Sequence, residues 1–392
     1  RRHDEMSEWD VLLASLKSSD EADPLEIDGW NINPINRSIG PDDLANNILT
    51  ISGSSARVAS RGMEKAGLSP DRVRQAEADY RDDILRLLFV CCHPDLPSTQ
   101  QIALALRIVS GLTVSQIARA FLVSEAALEQ RITRAKSKIA GAHVPFEAPG
   151  ALERSERLAA VAAMIYLVFN EGYTTNVADH GAKAPLCEEA IRLCRLLLRL
   201  FPTEPEIMGL AALVLLQHAR SAARFDADGA IVLLEDQDRT KWDRRMIAEG
   251  LALVDKALRH RRPGPYQVQA AIAALHARAL TYAETDWAQI DQLYGTLERM
   301  QPSPVVTLNR AVAMSKSRGP ADALAMIEPL AGKLNGYFYF HGVRGAFLKE
   351  LGRGEEARTA FDRAIALANT PAEAAHIRSQ IDRLVSPRRI ST

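Results

Sequence analysis

The sequence predicts an all-α protein in which a short helical hairpin domain precedes an array of helix pairs. Three observations lead there. Alanine and leucine dominate the 392 residues, while aromatics make up 6% and neither glycine (22) nor proline (19) is enriched, a mix that favours helix over strand. Apolar residues recur at helical spacing from Asp82 onward. Near the C-terminus the pattern repeats every 33 or 34 residues.

The bulk numbers exclude several classes. At 47% hydrophobic and 25% charged, the chain is large and apolar enough to bury real cores in two or three domains. Its net charge of -1 creates no global field for nucleic acid, so any DNA binding rests on a local patch. Cys91, Cys92, Cys187 and Cys194 form neither a C-x-x-C arrangement nor a zinc frame with histidine, so no metal or other cofactor is expected. The longest apolar runs, such as AAVAAMIYLVF (Ala159 to Phe169), fall short of the roughly 20 residues that span a membrane. The opening RRHDEMSEWD is too charged for a signal peptide, and a reduced cytoplasmic protein is the expectation.

Taken in order, residues 1–80 are the least regular. Pro24, Gly29, Pro34, Gly40 and Pro41 crowd among polar residues and predict loop, flanked by the short amphipathic pieces EWDVLLASLKS, DDLANNILTI and DRVRQAEADY. DDILRLLFVCC then starts on carboxylates and stops before Pro94, and STQQIALALRIVSG opens on a Ser98 or Thr99 cap and closes on Gly111. Two helices follow in LTVSQIARAFLVSEAALEQRITRAKSKI (Leu112 to Ile139). The proline-glycine segment His143 to Gly150 marks a boundary, giving a first domain over 81–145.

Beyond it, apolar residues at 187, 190, 191, 194, 197, 198 and 201 mark one amphipathic helix ending at Pro202, with Cys187 and Cys194 on its buried face. Aligning WAQIDQLYGTLERMQP, PADALAMIEPLAG and GEEARTAFDRAIALA brings Ile290, Ala323 and Ala357 into register, and likewise Tyr294, Ile327 and Phe361. Gly345 lies twelve residues before Ala357, and Ala190 twelve before Pro202. Small residues where paired helices cross, as at Gly345 and Ala357, resemble the tetratricopeptide pattern, which also puts the Ala190-to-Pro202 offset between its small residue and its terminal proline. Residues 155–386 are thus expected to form a helical-repeat domain, interrupted near 224–243 by a hairpin after a D-G turn.

The segment Leu112 to Ile139 carries the chemistry. Thr113 and Gln116 have capping-box spacing for a helix from Val114 to Leu122, and Ser124 caps a second. In the second, Leu128, Ile132, Ala135 and Ile139 form an inner stripe. Glu125, Glu129, Gln130, Thr133, Arg134, Lys136 and Ser137 face away, with Arg131 to one side. From Thr99 to Ala140 there are six Lys or Arg against two Glu. A helix-turn-helix needs this arrangement: early side chains of the second helix meet base edges, where glutamate accepts from cytosine and glutamine pairs with adenine. The cations Arg131, Arg134, Lys136 and Lys138 supply salt-sensitive phosphate contacts. Spacing and charge fit a plain helical hairpin with a solvated basic face equally well.

The same stretch resembles region 4 of extracytoplasmic-function sigma factors of the sigma-70 family, where an I-A-x-x-[FL] helix precedes a serine-led turn and an R-[LI]-x-R-A-[RK] ending. ILRLLFVCCHPDLPSTQQIALALRIVSGLT extends the similarity, as do IYLVFNEGY, LLEDQDRTKWD and PGPYQVQAAIAALHA, over about residues 81–386. These motifs resemble a subgroup with a tetratricopeptide-like C-terminal extension. The resemblance implies a factor that binds the promoter minus-35 element and RNA polymerase core, with a regulatory protein or peptide as a further partner at the repeat domain. Its implied DNA-binding residues are Thr113, Ser124, Glu125, Ala127, Glu129, Gln130, Arg131, Thr133, Arg134, Lys136 and Lys138. Region 2, which melts promoters, is not recognisable in residues 1–80, although the opening Arg-Arg matches the tail of its motif; the chain as given is therefore expected to bind a minus-35 element without melting DNA.

Two other readings compete. DADG at Asp226 to Gly229 lacks the remaining ligands of a calcium loop, and Cys91, Cys92 and His93 at a helix end suit packing better than nucleophilic catalysis, so no enzyme is expected. The stronger rival is a repeat-type interaction adaptor with a vestigial helix-turn-helix, its contacts drawn from Glu235, Asp236 and Asp238 or from Tyr337, Phe338, Tyr339 and Phe340.

Overall fold

A computed structural model describes residues 87–93, 96–110, 112–121, 123–141, 151–173, 177–226, 232–368 and 371–385. The loop and short amphipathic pieces expected over residues 1–80 lie outside these, as do Pro94, most of the DADG turn and the proline-glycine segment. Among the described residues there is helix throughout and no β-strand, as the composition dictates.

The chain divides into two compact units, one holding residues 33–175 and 179–202, the other holding 203–392 with short pieces from elsewhere. In the first, residues 87–91 are helical and are followed by α1 (Ser98–Ile108), α2 (Val114–Phe121), α3 (Glu125–Gly141), α4 (Ala151–Tyr173) and α5 (Val177–Leu200). Helix α1 starts at Ser98 with Pro97 in the cap position, so the expected caps Ser98 and Thr99 fall inside the helix. Its start is fixed by Gln101, whose buried amide donates to the carbonyls of His93 and Leu96, both at 3.0 Å. Helix α4 packs against α1 and α2, contributing the buried Val161, Ile165 and Val168. At Gly172, helices α4 and α5 close to contact: an added Cβ would stand 2.8 Å from Cys187 Sγ, and that thiol donates to Phe169 C=O at 3.6 Å.

This unit therefore runs some 50 residues past the boundary that His143 to Gly150 suggests. The reason is hydrophobic: α4 packs on α1 and α2, α5 closes on α4 at Gly172, and both helices bury apolar residues.

The second unit comprises α6 (Pro205–His218), α7 (Arg244–Leu258), α8 (Pro265–Arg278), α9 (Trp287–Met300), α10 (Pro304–Ser317), α11 (Pro320–Ile327), α12 (Ala331–Leu334), α13 (Phe338–Glu350), α14 (Gly354–Leu367) and α15 (Pro371–Val385). Proline at the first helical turn opens α6, α8, α10 and α11, where its missing N–H costs nothing. Asp243 and Asp286 cap α7 and α9. Each helix packs on its neighbours in sequence or on the next but one, as α8 does on α6. Helix α6 is apolar on all sides because α7 and α8 both cover it.

Most of the aligned positions face the core. Ile290, Ala323, Ala357, Ile327 and Phe361 are buried, while Tyr294 is half-buried. At Gly345 an added Cβ would lie 2.5 Å from the Phe361 ring, which is why the position twelve residues before Ala357 must be small. Gly352 ends α13 at φ +73°, a left-handed turn, with Arg353 N–H donating to Leu348 C=O at 2.9 Å. Over 224–243, where a hairpin is expected, Val232 N–H donates to Arg224 C=O at 2.9 Å and Arg239–Lys241 forms a turn of 3-10 helix. Of the four aromatics at 337–340, Phe338 and Phe340 belong to the core and Tyr339 is exposed.

Candidate nucleic-acid interface

The hairpin of α2 and α3 is set by its caps. Gln116 N–H donates to Thr113 Oγ1 at 3.2 Å, and Thr113 N–H donates to Gln116 Oε1 at 2.7 Å, so two amides at the start of α2 are met reciprocally. Ala127 N–H donates to Ser124 Oγ at 3.2 Å, which starts α3. Arg107 Nη1 reaches Leu112 C=O at 3.2 Å and steadies the chain entering this turn.

Helix α3 turns Leu128, Ile132 and Ala135 inward, fully or nearly fully buried, with Ile139 half-buried at the end of the stripe. The opposite surface carries exposed Glu125, Glu129, Gln130, Thr133, Arg134, Lys136, Ser137 and Lys138. At 3.6 residues per turn, Gln130, Thr133, Arg134 and Ser137 sit at the centre of that surface. Glu125, Glu129 and Lys136 line one edge, and Ala127, Arg131 and Lys138 the other. Ala127 and Arg131 are half-buried, as an edge position requires. Arg134 Nη2 donates to Gln130 Oε1 at 3.2 Å, which orients both groups one turn apart.

The sequence-predicted residues thus fall into two groups. Glu125, Glu129, Gln130, Arg131, Thr133, Arg134, Lys136 and Lys138 share one helix surface or its edge. Thr113 and Ser124 spend their acceptor oxygens on caps and so position the helices; each hydroxyl keeps its proton for an outside acceptor. Ala127 offers only a methyl group and a capped N–H.

Sequence reasoning missed one supporting residue. Arg192 on α5 forms a bidentate pair with Glu189 (2.6 and 2.8 Å) and donates to Val109 C=O at 3.3 Å, at the end of α1. The contact joins residues 83 apart in sequence, and only an Arg with a Glu three residues earlier hinted at it.

The remaining candidates carry no such geometry. All four cysteines are free and buried. Burial pushes the Cys92 thiol up to about 12, and raises Cys91, with help from Cys92, and Cys194 as well, which keeps these three protonated and poorly nucleophilic. Among the described residues no cluster of His, Cys, Asp or Glu could hold a metal ion, and no helix is long and apolar enough to cross a membrane. Glu235 and Asp236 are exposed, and Asp238 accepts from Thr240.

A model of sigma-70, region 4 matches residues 86–139, which takes in α1, α2 and nearly all of α3. The uncharacterized protein R00370 of Rhizobium meliloti (strain 1021) is 71% identical over 309 residues, covering 79% of this chain and 73% of that protein. The chain belongs to that protein's family and carries a sigma-70 region 4 domain. A model of a family of unknown function (DUF6596) matches residues 157–258, across α4 to α7. No solved structure matches the chain.

Region 4 gives the exposed surface of α3 its meaning. A sigma-70 region 4 domain implies an interaction with promoter DNA and RNA polymerase, and α3 is the second helix of its helix-turn-helix.

Proposed function

We propose that this protein is an RNA polymerase sigma factor of the extracytoplasmic-function type, acting in the cytoplasm, that reads the promoter minus-35 element and directs transcription initiation. The observation that carries the reading is the exposed surface of α3, within the matched region 4 domain. Glu125, Glu129 and Gln130, in the first turns, reach base edges; Arg131, Arg134, Lys136 and Lys138 reach phosphates. The reading assigns the protein no catalysis of its own.

The stack of residues 203–385 is the tetratricopeptide-like part, and in this proposal it regulates the factor or recruits a protein or peptide. Its support is the 33- to 34-residue register and the close approach of Gly345 to Phe361. Deleting residues 203–392 and assaying transcription with core polymerase tests this half, and unchanged output rules it out.

Fluorescence anisotropy with a promoter fragment and a random duplex tests the DNA half. The wild type should prefer the promoter, and Arg131→Ala with Arg134→Ala should weaken both complexes and lower the slope of log affinity against log salt by about two. Equal binding to both duplexes with no loss in the double variant would leave the adaptor reading in its place.

A further inference from the structure

Arg192 stands on α5, outside the span that matches region 4 and inside the span that matches the family of unknown function. Its guanidinium is oriented within its own helix first. Nε donates to Glu189 Oε2 at 2.8 Å and Nη2 to Glu189 Oε1 at 2.6 Å, a forked pair one turn apart. The Glu189 side chain is 12% exposed and that of Arg192 30%, so the pair is largely shielded from the water that weakens surface ion pairs. Nη2 carries a second proton, and that one goes to Val109 C=O at 3.3 Å, across 83 residues.

Helix capping alone does not explain this bond. A cation near the C-terminal end of a helix is favourable, yet α1 is already closed from within. Val109 N–H and Ser110 N–H both donate to Ala105 C=O, at 2.8 and 3.2 Å, and Leu112 N–H donates to Leu106 C=O at 3.2 Å. Val109 C=O opens the turn that leads from α1 to α2. The far end of the same turn is held in the same manner, Leu112 C=O accepting from Arg107 Nη1 at 3.2 Å. Two guanidinium groups therefore grip the turn at both ends, one from α1 and one from α5.

Thr113 opens α2 directly after this turn, and α3 packs on both α1 and α2. The direction in which α2 leaves α1 thus sets how the hairpin is presented. Apolar packing fixes that direction only coarsely, because it is non-directional; a forked guanidinium fixes an angle as well as a distance.

We propose that Arg192 is a positioning residue for promoter reading: it ties the turn between α1 and α2 to α5 and so holds α3 at its working angle. The inference rests on the promoter reading proposed above and gives a helix beyond region 4 a part in it. Arg192 itself touches no DNA in this role.

Fluorescence anisotropy of the full chain on a promoter fragment and a random duplex, over a range of salt, tests it together with thermal melts. Arg192→Gln should lower promoter affinity about tenfold, the worth of one base contact. Affinity for the random duplex should stay within about twofold, and the slope of log affinity against log salt should not change, because no phosphate contact is lost. Arg192→Lys keeps the charge at the end of α1 without the planar fork, and should lose promoter affinity nearly as far. A lysine variant that reads like wild type makes Arg192 a helix-end charge and overturns the proposal. A slope lowered by about one overturns it too, since Arg192 would then contact phosphate. So does an equal loss on both duplexes, or a lowered melting temperature with promoter preference intact, either of which assigns Arg192 to stability alone. A wild type that fails to distinguish the duplexes ends the promoter reading and takes this inference with it; a wild type that distinguishes them, with variants that match it, ends this inference alone.

Discussion

Arg134 and Gln130 are hydrogen-bonded neighbours on α3, and the proposed function gives them different tasks on DNA that separate substitutions divide. Arg134→Ala should weaken binding to every sequence alike and lower the salt slope by about one, because it removes one phosphate contact. Gln130→Ala should leave the slope unchanged and cost about 1–3 kcal/mol on the promoter only, because it removes a base contact. Anisotropy titrations on matched and random duplexes over a range of salt read both quantities. Equal losses on both duplexes for Gln130→Ala would show that α3 does not read bases. At this scale the sequence is legible wherever periodicity decides: Leu128, Ile132 and Ala135 are buried as their spacing requires. Arg192 and Gln101 are not legible, because each meets a backbone carbonyl that no local pattern announces.

Element starts show the same division. Thr113, Ser124, Asp243 and Asp286 cap their own helices, and each can be read from a few neighbouring residues. Helix α8 is different: Gly264 stands at its cap position and has no side chain to offer. Glu206, about 60 residues earlier, fills the role, accepting from Tyr266 N–H, Gln267 N–H and the Gln267 side chain, each at 3.1 Å. Gly264 is required because a Cβ there would overlap the Glu206 carboxylate. The motif PGPYQVQAAIAALHA is therefore a helix docked on a distant carboxylate. Burial raises the Glu206 pKa, partly opposed by these hydrogen bonds. Between the ordinary carboxylate value and the raised one, the folded state binds more protons than the unfolded, so stability falls as pH rises through that window. Glu206→Gln should remove this slope while keeping an acceptor, and Glu206→Ala should cost about 2 kcal/mol by leaving the two amides unmet. Urea titrations at several pH values measure both; a slope unchanged in Glu206→Gln would assign it to another group.

At the scale of the molecule, the all-α class and the repeat register can be read from composition and periodicity, whereas the division into units cannot. Prolines and glycines mark where a chain bends, and His143 to Gly150 has that signature, but a unit ends where its core is closed. Here α4 packs against both α1 and α2, and its Val161, Ile165 and Val168 are buried. Helix α5 adds Cys187, packed against Gly172, and the Arg192 contact to Val109. The region 4 domain, as a matched span, stops at residue 139, but its core continues to Pro202. A chain cut after residue 150 should therefore lose cooperative unfolding and bind a hydrophobic dye, since burying a single Val or Ile side chain is worth about 1.5–3 kcal/mol and several are exposed at once. A chain cut after Pro202 should keep a sharp thermal transition and the DNA affinity of α3. Circular dichroism melts and dye fluorescence of the two fragments decide the matter: a cooperative melt in the shorter one would place the boundary back at the proline-glycine segment, and the packing of α4 and α5 would then serve something other than the stability of the α2–α3 hairpin.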